Sequence, residues 1–304
     1  SERSPSEKGR ADKTKSRGVK PIGILMENDV LHAALKKKNA ATEEVVLKAR
    51  ECAIHLGLQG ILAIHKPPAW TSFDVVSKLR QTLQRFFQET HPDLPHKYSR
   101  IKVGHGGTLD PMATGVLVIG VGTGTKSMDV YTKGSKGYET IIRLGWETDT
   151  ADAEGKQVGE TKGWEHVTEE DVRRGCEQFV GQIMQVPPIY SAIKMQGERA
   201  YNLARDGVDF EMKARPVEVY EIRMMRPYSE TAPEIHLAIQ CGGGTYIRSI
   251  ARDLGRELAS AAHMHRLVRT KQGEFVLADC LEMSAIGDAD AIVKRLRLLP
   301  GTAT

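Results

Sequence analysis

The spacing of apolar and polar positions changes repeatedly along the chain, and each change marks an element. Residues 28–56 set Val45, Val46, Ala49, Cys52 and Ala53 along one side of a 3.6-residue repeat, which predicts a helix. A short apolar run from Gly60 to His65, closed by Pro67 and Pro68, predicts a strand. Thr71 and Ser72 then cap a helix whose apolar positions are Phe73, Val76, Leu79, Leu83 and Phe86. The unbroken run Val116-Leu117-Val118-Ile119 predicts a buried strand, and Tyr138–Leu144 and Val217–Met224 predict two more. Ile235, Leu237, Ile239 and Cys241 alternate as in a strand with one buried face. Further helices are predicted over 168–180, capped by Thr168, and over 246–259, with Ile247, Ile250, Leu254 and Leu258 on one face. Strands and helices mix without a repeating β-α-β period. The class is therefore α+β, a layered sheet with helices and not a doubly wound fold.

The segments outside these elements differ in character. Residues 1–20 are rich in Ser, Lys and Arg and nearly free of large apolar side chains, so the first 27 residues are expected to be a disordered basic tail. A nuclear-import patch, a nucleic-acid arm and a transit-peptide remnant all fit that composition, as does an inert solvated tail. Glu2, Glu7 and Asp12 count against the transit peptide. Residues 28–57 form a helical extension with no assigned role, and 58–284 form the main domain. Residues 88–100, with prolines, histidines and charges, are expected to be an exposed insertion, and 285–304 a C-terminal tail.

Composition narrows the class. The 304 residues are 40% hydrophobic and 27% charged, which is ordinary for a globular chain able to bury a sizeable core. No apolar run approaches the roughly 20 residues that cross a bilayer, so no membrane role is expected. A net charge of +4 is compatible with a polyanionic partner without establishing one. Cys52, Cys176, Cys241 and Cys280 stand far apart, which excludes a zinc module and a disulfide framework and favours a reducing compartment. The pair His263 and His265 has no third ligand nearby, so these are expected to be surface or loop histidines and no metal is expected.

The densest concentration of chemistry is Val103-Gly104-His105-Gly106-Gly107-Thr108-Leu109-Asp110-Pro111-Met112-Ala113-Thr114-Gly115. One carboxylate, Asp110, stands among residues that favour backbone freedom over bulk. Glycines permit tight turns and close approach to a ligand, and Pro111 biases Asp110 away from helical geometry. Most Gly-Asp-Pro loops are plain turns with a solvated Asp, but this one outruns the roughly 2–6 residues of an ordinary connection.

The same stretch resembles the catalytic motif of the TruB family of tRNA pseudouridine synthases. Further segments similar to that family follow in order: Ile61–Pro67, Lys136-Gly137-Tyr138-Glu139, Thr148–Asp152, Pro187–Lys194 and Gly244–Ser249. The likeness covers roughly residues 58–284, identified on that basis as the catalytic domain. It implies a large mixed, mainly antiparallel sheet with helices around it and the active-site cleft across it. It also implies Asp110 as the catalytic carboxylate, Arg248 as the cation that keeps it ionised, and Tyr138 as the ring that stacks on the target base and takes part in proton transfer. His105 resembles the residue that enters the tRNA T-loop in place of the extruded uridine. Lys66 and Lys126 are expected to meet RNA phosphate or ribose, while Thr108, Asp152, Tyr246 and Leu267 are expected to line the pocket. Lys194 reads as architecture. Many members continue into a small RNA-binding barrel of the PUA type; this chain ends about twenty residues after the last similar segment, and no such domain is expected.

The reaction so implied turns uridine 55 of tRNA into pseudouridine without a change of oxidation state, so no cofactor is expected. Partners are expected to be the tRNA T-arm and other RNAs that present a T-loop-like hairpin, met by a monomer in the nucleus, the mitochondrion or both, with the cytoplasm as a further compartment. Other readings fit less well. Gly120–Ser127 resembles a phosphate-binding loop, but Thr125 stands where the P-loop needs a glycine before its lysine, and the third Rossmann glycine is missing. A phosphatase of the Asp-x-Asp kind would need an acid where Met112 stands, and a glycosidase would need a second acid nearby. A non-catalytic tRNA chaperone and a guide-RNA-dependent synthase resembling dyskerin stay open as alternatives.

Overall fold

A computed structural model describes residues 22–298 except 98–99, 192, 196–197, 201–202, 204–205 and 209. The basic segment 1–21 and residues 299–304 lie outside the described residues. The chain divides into two compact units, 1–48 and 49–304. Helix α1 runs Ile22–His55 and so starts earlier than expected, taking in residues 22–27 that composition had assigned to the tail. Of its expected apolar face Ala49 is buried, Cys52 and Ala53 are half-buried, and Val46 is exposed.

The second unit is built on one sheet. Its strands are β1 (Gly60–Lys66), β2 (Val103–His105), β3 (Thr114–Val121) and β4 (Lys136–Leu144). They continue, after the short pairs β5 (Glu147–Thr148) with β6 (Gln157–Val158) and β8 (Lys194–Met195) with β9 (Glu198–Arg199), through β7 (Gly181–Gln185), β10 (Arg215–Met224), β11 (Glu234–Cys241), β12 (Ala262–Gln272) and β13 (Phe275–Val276). The spatial order is β1-β3-β12-β4-β11-β10-β7, with β2 beside β3 and β13 beside β12. Every pair in this sheet is antiparallel except β3 with β12. This is the α+β architecture that the alternation of periods implies.

Strand β12 is central and was not expected from the sequence. Bulges lie between Met264 and Arg266 and between Arg269 and Lys271. Each bulge reverses the phase of inward and outward positions. Cross-strand partners point the same way, so Met264, Leu267, Arg269 and Gln272 all share the face of Ile142, Thr140, Tyr138 and Lys136. The plain alternation by which a strand is read from sequence is lost here. His263 and His265 consequently lie in this strand and not in a surface loop; His263 is buried, its Nδ1 3.0 Å from the Trp146 carbonyl.

Helix α2 (Ser72–Thr90) starts at a capping box in which the Thr71 hydroxyl accepts from the Asp74 amide and Asp74 reaches back to the Thr71 amide. Its buried stripe is Ser72, Val75, Val76, Leu79, Leu83 and Phe87, whereas Phe73 is 63% exposed and Phe86 only half-buried. Ser72 sets this phase: its hydroxyl donates to the Leu109 carbonyl at 3.1 Å and accepts from the Leu109 amide at 2.8 Å. Each fully buried aliphatic side chain of the stripe contributes roughly 1.5–3 kcal/mol. Helix α3 (Met128–Lys133) follows β3, and α4 (Glu169–Glu177) begins at the expected Thr168 cap. Helix α5 (Ile247–Glu257) packs on β12 and β4.

Two expected loose segments are partly built in. In 88–100, residues 88–90 complete α2 and Leu94 is buried, its carbonyl accepting from Gln88 Nε2, although His96 and Lys97 are exposed. The segment after 285 is not a tail: α6 (Ala289–Arg295) is capped by Asp288, Ile292 is fully buried, and Arg297 bridges Ile61 at the free edge of β1. Ile292→Ala should therefore destabilise the protein by about 2–4 kcal/mol. A urea midpoint equal to that of the parent protein would show that α6 stands outside the cooperative unit.

Candidate active site

The loop from Gly106 to Ala113, between β2 and β3, is held at almost every residue. The Gly106 amide donates to Val118, Leu109 is clasped by Ser72, and the Ala113 amide donates to the Asp110 carbonyl. The Pro111 carbonyl accepts from the Ala69 amide and from Lys66 Nζ, at 2.9 and 3.0 Å. A side chain at Gly106 would collide with Tyr131, and Gly107 has φ +134°, open in practice only to glycine. The resulting loop is rigid and presents one acid.

That acid meets Arg248, the second residue of α5. Arg248 Nη2 donates to Asp110 Oδ1 at 3.1 Å, and Nε lies 3.0 Å from Oδ2, though its N–H is not aimed for a hydrogen bond. The rest of the guanidinium is anchored by the Thr150 carbonyl at 3.0 Å and the Tyr190 carbonyl at 2.9 Å, with Asp152 Oδ2 at 3.5 Å. Asp152 is itself buried and held by the Thr150 hydroxyl and the Glu154 amide. Three segments distant in sequence thus converge on one guanidinium. The Asp110 side chain is 28% exposed and faces open space on one side. Burial pushes its carboxyl above the ordinary aspartate value of 3.8, Arg248 opposes that shift, and the Asp152 charge adds to it.

Tyr138 is buried in β4, its hydroxyl raised above the ordinary value of 10.0 by burial and held back by Arg269. Leu267, also buried, stands opposite Thr140 and so lies on the same face. Tyr246 caps α5, half-buried, with its amide and carbonyl both bonded to the Gln185 side chain. His105 ends β2, half-buried, its Nδ1 3.3 Å from the Gly107 amide. Thr108 is exposed at the loop's tip, and Lys126 is exposed just before α3. Asp110, Arg248 and Asp152 are brought into direct contact, with Tyr138 in their electrostatic field; Lys126 makes no contact with that group among the described residues.

Lys66 requires a correction. It was expected to face RNA, but it is fully buried, with Nζ donating to the carbonyls of Pro67, Trp70 and Pro111 at 2.7–3.0 Å. Burial lowers its pKa from 10.5 to about 8, against the attraction of Asp110. Three donors on three carbonyls make it a clamp on the loop, leaving no proton for a phosphate. Two residues that sequence reasoning passed over complete the site. Arg269, 1% exposed, donates to the Val116, Thr108 and Gly107 carbonyls at 2.7, 3.4 and 3.2 Å. Gln272 donates to the Gly106 carbonyl at 2.6 Å and accepts from the Val118 amide at 3.1 Å. Gly115 at φ +105° admits this strand: a Cβ there would strike the Arg269 backbone. Gly115 was the one signal in the sequence for that close approach.

Residues 96–247 match the model of the TruB family pseudouridylate synthase N-terminal domain. The tRNA pseudouridine synthase B of Dehalococcoides mccartyi is 42% identical over 233 residues, covering 77% of this chain and 71% of that protein. The human pseudouridylate synthase TRUB1 is 42% identical over 240 residues, covering 78% and 68%. The chain belongs to the TruB family. Among solved structures it is similar to a chain from a Cbf5-Nop10-Gar1 complex, with a TM-score of 0.57 and 24% identity over 81% of this chain and 62% of that one, a likeness of fold. In this TruB-family chain the matched region carries Asp110, Tyr138 and Asp152, while Arg248, Leu267 and Arg269 follow it.

A carboxyl whose folded pKa is raised contributes stability that is complete below the unfolded value of 3.8 and is lost as pH rises through the folded value. Its ionised fraction falls as pH drops through that raised value. The acid limb of the single-turnover rate should lie above the ordinary aspartate range, and Arg248→Gln should move it higher still. An acid limb in the ordinary range, unmoved by Arg248→Gln, would contradict this account of the pocket.

Proposed function

We propose that this chain isomerises uridine 55 in the T-loop of tRNA to pseudouridine, with Asp110 as the reacting carboxylate. The observation that carries the reading is the Asp110–Arg248 pair: a half-open acid on a rigid glycine-rich loop, held by a guanidinium that two other chain segments, Thr150 with Asp152 and Tyr190, fix in place. The reaction breaks the bond between C1′ and N1, turns the uracil, and joins C1′ to C5. The C5 proton is lost and N1 gains one, so nothing is oxidised or reduced. The chain's work is to cleave a bond, hold a detached base and move a proton.

Asp110 assists cleavage, either by adding to the sugar or by managing the proton, and Arg248 keeps it charged in a site where burial favours the neutral acid. Tyr138 offers a ring face to the base and a hydroxyl for proton transfer. Leu267 and Tyr246 bound the pocket, with Asp152 behind Arg248. The uridine must leave its stack, at a cost of about a few kcal/mol. His105, on the strand that leads into the loop, occupies the space left in the RNA. Lys126 and the exposed Thr108 meet the backbone, positioning RNA without reading sequence, and Lys66 acts through the loop it clamps. The enzyme works as a monomer on the tRNA T-arm and on other RNAs with a T-loop-like hairpin.

The direct test is to incubate the purified protein with unmodified tRNA transcript and no cofactor, and to map the product nucleotide. Asp110→Asn should abolish pseudouridine formation while tRNA affinity stays within a few-fold; turnover retained by that variant would remove Asp110 from the mechanism. His105→Ala should slow modification of a folded T-arm far more than that of an unstructured strand of the same sequence. Equal losses on both substrates would reject its role as the residue that fills the vacated stack.

A further inference from the structure

Arg269 is one of the two heavily engaged arginines at the site, and it lies outside the matched segment 96–247. Its Nε and both terminal nitrogens donate to the Val116, Thr108 and Gly107 carbonyls, and its charge lies close enough to the Tyr138 hydroxyl to oppose the rise that burial imposes on it. A guanidinium is planar, with its N–H directions fixed in a fork, so groups bound to it hold fixed places relative to one another. The charged and titratable groups around it are Asp110 on the loop, Lys66 on β1, Tyr138 and Lys136 on β4, and Cys280 after β13.

Bracing the loop does not by itself call for an arginine. Gln272 grips the same loop at Gly106, from the same face of β12, with an uncharged amide. Arg269 does one thing more: it stands between the Asp110 loop and the tyrosine on the neighbouring strand, where the register sets Arg269 directly opposite Tyr138. The bulge after Arg269 makes the arrangement accessible, because it turns Arg269 and Gln272, three residues apart, to one side of the sheet.

We propose that Arg269 is a positioning residue that fixes the Tyr138 hydroxyl relative to the Asp110 loop, so that the ring under the base and the reacting carboxylate move as one body. The proposal rests on the pseudouridine synthase reading. It touches neither RNA nor the reacting atoms and acts through Tyr138 and the loop carbonyls.

Arg269→Lys keeps the charge and loses the fork, and Gln272→Ala loosens the loop without touching Tyr138. Both are compared with the parent protein by thermal melting, by tRNA binding and by single-turnover pseudouridine formation across pH. Arg269→Lys should melt cooperatively within about 5 °C of the parent, bind tRNA within a few-fold, and react about 100-fold more slowly, the loss expected from a small misplacement of reacting groups. Its alkaline limb, governed by the Tyr138 hydroxyl, should move to higher pH, since a displaced cation no longer favours the ionised phenol. Gln272→Ala should lose far less rate and keep the parent pH profile. A rate for Arg269→Lys within a few-fold of the parent overturns the proposal. So do equal losses with unshifted profiles in both variants, which mark a plain brace. Loss of cooperative melting in both Arg269→Lys and Arg269→Gln assigns the residue to the fold and also overturns it. Absence of pseudouridine from the parent protein's own reaction would instead reject the functional reading.

Discussion

The pairing of the partly buried Asp110 carboxylate with the Arg248 guanidinium is the constraint that organises this molecule. Taking a charge out of water costs on the order of several kcal/mol, and a single opposite charge compensates only if its geometry is fixed and its other donors are satisfied. Arg248 meets both conditions because Thr150, Tyr190 and Asp152 hold the rest of its guanidinium. The position of α5, the turn that carries Asp152, and the segment through Tyr190 are all required by that one cation. Asp110 remains partly exposed because only one side of it is taken.

The opposite side of the site is governed by strand β12. It pairs in parallel with β3 and antiparallel with β4, and so joins the strand after the loop to the strand that bears Tyr138. Its two bulges aim Leu267, Arg269 and Gln272 at the pocket and the loop. Among the described residues the buried cations are Lys66, Lys136, Arg248 and Arg269, and the buried carboxylate is Asp152. Lys66, Lys136 and Arg269 are solvated by main-chain carbonyls in place of water. Each therefore binds two or more points of the backbone together, and Lys66 and Arg269 in this way brace the loop rich in glycine.

How much of this was legible depends on whether a residue's environment is local. The caps at Thr71 and Thr168, the alternation of Ile235 to Cys241 and the helical stripe of α5 depend on neighbours within one turn or one strand, and the structure shows each of them. In α2 Val76, Leu79 and Leu83 are buried as expected, but Phe73 and Phe86 were misjudged because Ser72, a polar residue, takes an inward position with a bond to Leu109, thirty-seven residues away. Strand β12 was missed because bulges break the period by which strands are recognised. Lys66 was misread because a lysine is ordinarily exposed, and only the approach of Pro111 supplies the carbonyl that completes its burial.

The sequence by itself determined the class of fold, the loop with its single acid, and the order of the motifs, because these rest on short-range spacing and on the chemical character of individual residues. Tertiary structure decided which charges meet. Asp110 and Arg248 are 138 residues apart, and Arg269 is more than 160 from the Gly107 carbonyl it holds. Such contacts depend on strand register and on the phase shifts that bulges introduce, and neither is written in the spacing of residues along the chain.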